Sequence, residues 1–209
     1  MEWVGRTSDE GRHVGLVEEW TFSLWSPDAA LGATTTLIVR PNGSTWYSAA
    51  LVRNDGLFLH LCEPDGPALR SVDSLLLKAE GLWAEHECES AFEQWTIANE
   101  AYAVALEAPD DALGSAYGRP EPIAFDWEWY ATGAPIGVSG GYRQPGEVHA
   151  VIELRGASVD GVFAGSRTHR WGSWMPDSST PAGLRHAPVV FDSRIVERVL
   201  DIEGWSMTL

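Results

Sequence analysis

Cysteine is almost missing from this chain of 209 residues, which holds only Cys62 and Cys88, 26 positions apart. Two thiols exclude a disulfide framework, and their spacing alone asserts no bridge between them, so a reducing compartment is expected. Basic residues are scarce as well. Fourteen Lys and Arg stand against 30 Asp and Glu, for a formal net charge of -16. A protein that neutralises phosphates needs clustered cations, so nucleic acid is not expected as a partner, nor is an anionic membrane surface. Long hydrophobic runs are lacking too. No stretch approaches the roughly 20 apolar residues of a membrane span, and Met1 to Gly15 has no apolar centre of the kind a signal peptide carries. A cytoplasmic location with no membrane span is therefore expected, and Asn42-Gly43-Ser44 reads as a turn rather than a glycosylation acceptor.

What the chain does have is tryptophan, 11 of them, within an otherwise ordinary mixture of 44% hydrophobic and 21% charged residues. Indoles supply large apolar surfaces and an N–H that needs a partner, which suits packed β cores and the walls of hydrophobic pockets. The length fits one domain of moderate size, or one domain with an appendage. Residues 1 to 15 are polar and glycine-bearing and read as a flexible leader. From Glu18 to Trp25 the pattern alternates, with Trp20, Phe22 and Leu24 on one face. Ala33 to Val39 and Trp46 to Val52 follow across the Pro41-Asn42-Gly43-Ser44 turn, and Leu57 to Leu61 follows Asn54-Asp55-Gly56.

Leu82 to Glu89 places Trp83, Glu85, Glu87 and Glu89 on one face and Ala84, His86 and Cys88 on the other. A helix is the rival there, since Glu, Ala and Leu are good helix formers. Phe92 to Ile97 and Ala101 to Glu107 read as two further strands, and residues 109 to 122 as the longest loop. Ile123 to Tyr130 groups Phe125, Trp127 and Trp129 on one face and Asp126, Glu128 and Tyr130 on the other, the aromatic face being the better core candidate. Gly137-Val138-Ser139-Gly140-Gly141 matches the nucleophile pattern of hydrolases only formally, because no helix follows the serine. Val189 to Leu209 fits either a helix behind Asp192 or a strand.

Short strands with turns between them and no βαβ alternation predict an all-β fold, an antiparallel barrel or strongly curved sandwich, with a short C-terminal helix as an option. Two strand-like runs, Val148 to Leu154 and Val159 to Phe163, lead into Gly165-Ser166-Arg167-Thr168-His169-Arg170-Trp171-Gly172. On an extended backbone Arg167, His169 and Trp171 share a face, offering a fixed cation, a titratable donor and an apolar wall to whatever they line. The same residues also suit a packed core with satisfied polar groups.

This ending resembles the lipocalin-like family of carotenoid 1,2-hydratases, AttH-like proteins and decalin-forming Diels-Alder cyclases. The likeness rests on the Tyr142-Arg143-Gln144-Pro145-Gly146 stretch, the Val148 to Leu154 run, and Gly165, Arg167, His169, Trp171 and Gly172, in that order. It covers about residues 16 to 174, which become the barrel domain. Thr168 and Arg170 depart from the family's usual acid and serine. The resemblance implies a lipocalin-like barrel with a cavity. Relatives usually continue into a second such domain, whereas 35 residues follow Trp174 here. Residues 175 to 209 are expected to pack on the barrel or on a partner subunit, and a homodimer is an option.

The function expected is binding of a hydrophobic small molecule of terpenoid, steroid or polyketide type, with hydration or cyclisation in the cavity; the alternative is a carrier without chemistry. His169 is the candidate acid or donor and Arg167 the orienter, with Glu19, Glu85 and Glu128 as alternative acids. Trp20, Trp127, Trp129, Tyr142, Trp171 and Trp174 are the candidate walls. No cofactor is expected. His86 and Cys88 share a strand face, but two ligands make no site and no standard zinc spacing occurs, so no metal is expected either.

Overall fold

The structure, a computed structural model, describes residues 5–26, 31–53, 58–71, 74–106, 118–172, 186–191, 194–201 and 204–208. Its first four strands are β1 (Val17–Ser26), β2 (Leu31–Val39), β3 (Thr45–Arg53) and β4 (Phe58–Gly66), a meander of antiparallel neighbours. β5 (Leu75–Ala79) and β6 (Leu82–Ser90) form a hairpin. β7 (Gln94–Leu106), β8 (Arg119–Ala131), the short β9 (Ile136–Val138), β10 (Gly141–Leu154) and β11 (Ala157–Gly172) complete the sheet.

The pairing order β4-β3-β2-β1-β11-β10-β8-β7 closes on itself where Phe58 to His60 of β4 meet Val104 to Leu106 of β7. Eight strands therefore form an antiparallel ring, and closure removes the open edges that a flat sheet would leave for aggregation. The hairpin of β5 and β6 pairs with the first half of the same β7 edge. That arrangement explains why Gln94–Leu106 form one long strand rather than the expected two. β8 runs beside β7 from Gln94 to Ala105, so Ala98-Asn99-Glu100 stays extended. The helical alternative over Leu82 to Glu89 does not occur, because period-two alternation buries Ala84 and His86 while Glu87 and Glu89 remain exposed.

Alternation is cleanest in β10 and β8, whereas Val17 to Phe22 of β1 are buried on both faces. In β10, Tyr142, Gln144, Gly146, Val148, Ala150 and Ile152 are all turned inside. The core takes Trp20, Phe22 and Leu24 from β1 and Trp95 and Ile97 from β7, together with Phe125, Trp127 and Trp129 from β8. Gly146 stands opposite Gly165, and a Cβ on Gly146 would lie 2.2 Å from the Trp129 ring. Glycine is needed there because the indole lies flat against the backbone.

Beyond the barrel, β12 (His186–Phe191), β13 (Arg194–Asp201) and β14 (Gly204–Thr208) make a second antiparallel meander. Strands replace the optional C-terminal helix, consistent with the β-branched content of Val189, Val190, Ile195 and Val196. Asp192, the supposed cap, lies outside the described residues, as do residues 109–117 of the long loop. Of the loop's remaining expected members, Gly118 is a bend just before β8 and Arg119 to Pro122 belong to that strand.

Part of the expected leader, residues 5–15, is described. Thr7–Glu10 forms a 3-10 turn, and Glu10 is buried. Its carboxylate enters the end of the barrel, where charge pairing outweighs the chain's polar composition.

Candidate functional site

The site is built on three adjacent strands. Register places Phe22 and Gln144 on either side of Arg167, and Trp20 and Tyr142 on either side of His169. Arg167 is 1% exposed and His169 0%. A guanidinium at that depth requires a partner, and Glu10 supplies it. Arg167 Nη1 and Nη2 donate to Glu10 Oε2 and Oε1 at 2.8 and 2.6 Å. Trp95 Nε1 donates to the same carboxylate at 2.9 Å and the Tyr142 hydroxyl at 2.6 Å. With the Cys88 thiol donating to Oε2 at 3.9 Å, five donors converge on one carboxylate.

The other side of the guanidinium is equally occupied. Nε and Nη2 donate to Gln144 Oε1 at 3.2 and 2.8 Å, while the Gln144 amide donates to the carbonyls of Phe92 and Gly133. Arg167 also lies over the rings of Trp129 and Tyr142 at 4.9 and 5.0 Å, cation–π contacts strengthened by desolvation. Burial, with Glu10 adding to it and Arg167 opposing, pushes the Tyr142 hydroxyl up, so that it acts as a donor.

A second cluster adjoins the first. His169 Nε2 donates to Glu18 Oε1 at 2.9 Å, and His13 Nδ1 donates to the same oxygen at 2.8 Å. Glu18 Oε2 accepts the His13 backbone N–H at 2.7 Å. His169 stacks on Trp20 at 4.7 Å, and His13 on Trp171 at 4.3 Å. Burial lowers the His169 pKa even though Glu18 works the other way.

Beside these clusters lies a cavity of about 370 Å³ between the N-terminal arm and the β5–β6 hairpin. Glu10, Arg12, Trp20, His86, Cys88 and Trp95 are among the residues around it. Both ring nitrogens of His86 and the Trp20 indole nitrogen are buried without a partner. Burial alone drives His86 down to about 3, which leaves it neutral. The Cys88 thiol is pushed up to about 11, first by burial and then by Glu10.

Arg167 and His169, expected to project into a hollow, project inward into packed side chains; the space lies next to them. Of the expected walls, Trp20 fronts the cavity. Trp127 stacks on Phe125 at 4.4 Å, Trp129 and Tyr142 enclose Arg167, and Trp171 covers His13. Trp174 lies outside the described residues. Glu85 borders the cavity. Glu19 is buried on the opposite face of β1, bonded to Arg170 at 3.1 Å, and Glu128 is exposed and accepts the Tyr130 hydroxyl. The fold thus separates Glu19 and Glu128 from Arg167 and His169.

Glu10, His13, Glu18 and Gln144 were not singled out in the sequence. Glu18 and Gln144 carried a signal, since parity puts them on the faces of Trp20 and Tyr142. Glu10 and His13 carried none.

No family model matches the chain, and no curated protein matches it. Solved structures similar to it include CghA with Sch210972, at 11% identity and a TM-score of 0.43, over 89% of this chain and 53% of that one. A Nitrosomonas europaea protein of the AttH type is 12% identical with a TM-score of 0.38, over 98% of this chain and 72% of that one. The chain spans about half the length of CghA.

Proposed function

We propose that this barrel binds a hydrophobic small molecule bearing a polar group, of terpenoid, steroid or polyketide type, in the cavity beside Glu10. The observation that carries this reading is the unsatisfied buried nitrogens of His86 and Trp20 in a mixed wall, where Trp20, Leu75 and Trp95 offer apolar surface beside the charged Glu10, Arg12, Glu85 and Glu87. A buried polar atom without a partner costs about 1–3 kcal/mol, so a ligand or water that satisfies it is stabilised there. A carbonyl or hydroxyl group meets both needs, accepting from Trp20 and exchanging a hydrogen bond with neutral His86.

Binding without chemistry is the primary reading. Hydration of an alkene needs a proton donor at the ligand, and His169, the expected acid, is enclosed by Glu18, Trp20 and Tyr142. Cyclisation is the second reading, favoured by the same neutral donors, because shaping a polyene and polarising a carbonyl require no proton transfer.

Native mass spectrometry of protein purified from its host tests the binding. A copurified lipophile is expected, lost from a His86→Phe variant that fills the polar side of the cavity. A wild-type protein that neither carries nor takes up lipophiles, with unchanged tryptophan emission on titration, overturns it. Product formation from a bound polyene separates cyclisation from carriage.

A further inference from the structure

We propose that His13, Glu18 and His169 form a binding site for a divalent transition-metal ion that clasps the N-terminal arm to the barrel. His13 Nδ1, Glu18 Oε1 and His169 Nε2 all lie within 4.8 Å of one another. Both imidazole nitrogens converge on one carboxylate oxygen, at 2.8 and 2.9 Å. Two imidazoles and one carboxylate suit zinc and its neighbours in the first transition row. In a tetrahedral zinc site, ligand atoms about 2.1 Å from the ion are about 3.4 Å apart, so each nitrogen must move about half an ångström away from the oxygen while the two nitrogens, within 4.8 Å of each other, close toward the same spacing.

The surroundings already have the form of a metal centre's outer shell. Glu18 Oε2 is held by the His13 backbone N–H, leaving Oε1 for the ion. When His169 gives its Nε2 lone pair to the metal, its ring proton sits on Nδ1, 3.5 Å from the Tyr142 hydroxyl, which is anchored in turn on Glu10. Metal-bound histidines characteristically have such a second partner. Trp20 and Trp171 stack on the two imidazoles and fix their planes.

Access and adjustment both come from the arm. Gly15, at φ +86, lets the chain turn back so that His13 faces the strand carrying Glu18. The His13 side chain is 25% exposed, whereas Glu18 and His169 are enclosed, so the ion enters on the His13 side and a water completes its shell there. The strongly negative chain raises the local concentration of cations. The arm that the ion holds is the one whose Glu10 and Arg12 border the cavity. This inference is independent of the ligand reading, since none of the three side chains is needed to fill that cavity.

The test is isothermal titration of EDTA-stripped, dialysed protein with Zn²⁺ in the presence of a weak competing chelator. One ion per chain with a submicromolar Kd is expected. His13→Ala and His13→Gln should each weaken binding at least tenfold, and because His13 lies outside the sheet and is part-exposed, both should keep the barrel folded, which circular dichroism checks. A Cys62→Ser/Cys88→Ser protein should bind as the wild type does, and Co²⁺ should give tetrahedral absorption bands without thiolate charge transfer. Absence of stoichiometric binding, binding unchanged in the His13 variants, or binding lost with the cysteines overturns the proposal.

Discussion

Arg167 and Glu10 stand 157 residues apart in sequence and meet inside the barrel through two hydrogen bonds, 2.8 and 2.6 Å long. A charge pair at this depth is retained only when both partners are present, because either one alone keeps its desolvation penalty. Arg167→Met should therefore cost about 3–5 kcal/mol in urea unfolding. Glu10→Leu should cost a similar amount. The double variant should be much less destabilised than the sum of the two, and strict additivity would show that the pair is not coupled.

Tyr142→Phe tests the same carboxylate from a third side. It removes an O–H donor to Glu10 while leaving the ring under Arg167 and against His169. A hydrogen bond to a charged group contributes about 1.5–3 kcal/mol, and a loss in that range is expected from denaturant midpoints. A neutral result would mean that the remaining donors suffice.

Gly146→Ala should be destabilising by about 1–3 kcal/mol, the range for overpacking a full core. The added methyl would overlap the Trp129 ring, which is 0% exposed and packed beneath Arg167. A shift in tryptophan emission should accompany the loss. Wild-type stability with unchanged emission would place the indole elsewhere.

Acid should unfold the protein progressively from pH 6.5 downward. His86 is held at about 3 in the folded chain against an unfolded value near 6.5, and His60 at about 4, both through burial. In that window the unfolded state binds more protons, so stability is complete above pH 6.5 and falls as pH drops toward the folded values. The His86 contribution amounts to about 2 kcal/mol lost by pH 5. His86→Phe should flatten the slope of unfolding free energy against pH between 5 and 6.5. An unchanged slope would mean that His86 takes up its proton in the folded state.

Strand faces were legible because period-two alternation needs only neighbouring residues. Trp20, Phe22 and Leu24 could be placed together, as could Phe125, Trp127 and Trp129, and Arg167 could be aligned with His169. The acids were legible only in part. Glu19 and Glu128 have the residue type an acid catalyst needs, and alternation already set them opposite Trp20 and Trp127; what only the register of β1 with β11 supplied is that Trp20 and Phe22, not Glu19, stand beside His169 and Arg167.

The sequence by itself determined an antiparallel all-β chain, the inward sides of its central strands, and the presence of a guanidinium and an imidazole on one such side. Those properties follow from local alternation and turn chemistry. Only the tertiary structure decided that Arg167 is sealed by a carboxylate from the N-terminal arm and that the cavity lies beside it rather than around it. It alone brought His13 and Glu18 to His169. Contacts between residues more than 150 positions apart leave no mark on local periodicity; they exist because closing the ring brings β11 alongside β1 and the arm against the barrel's end.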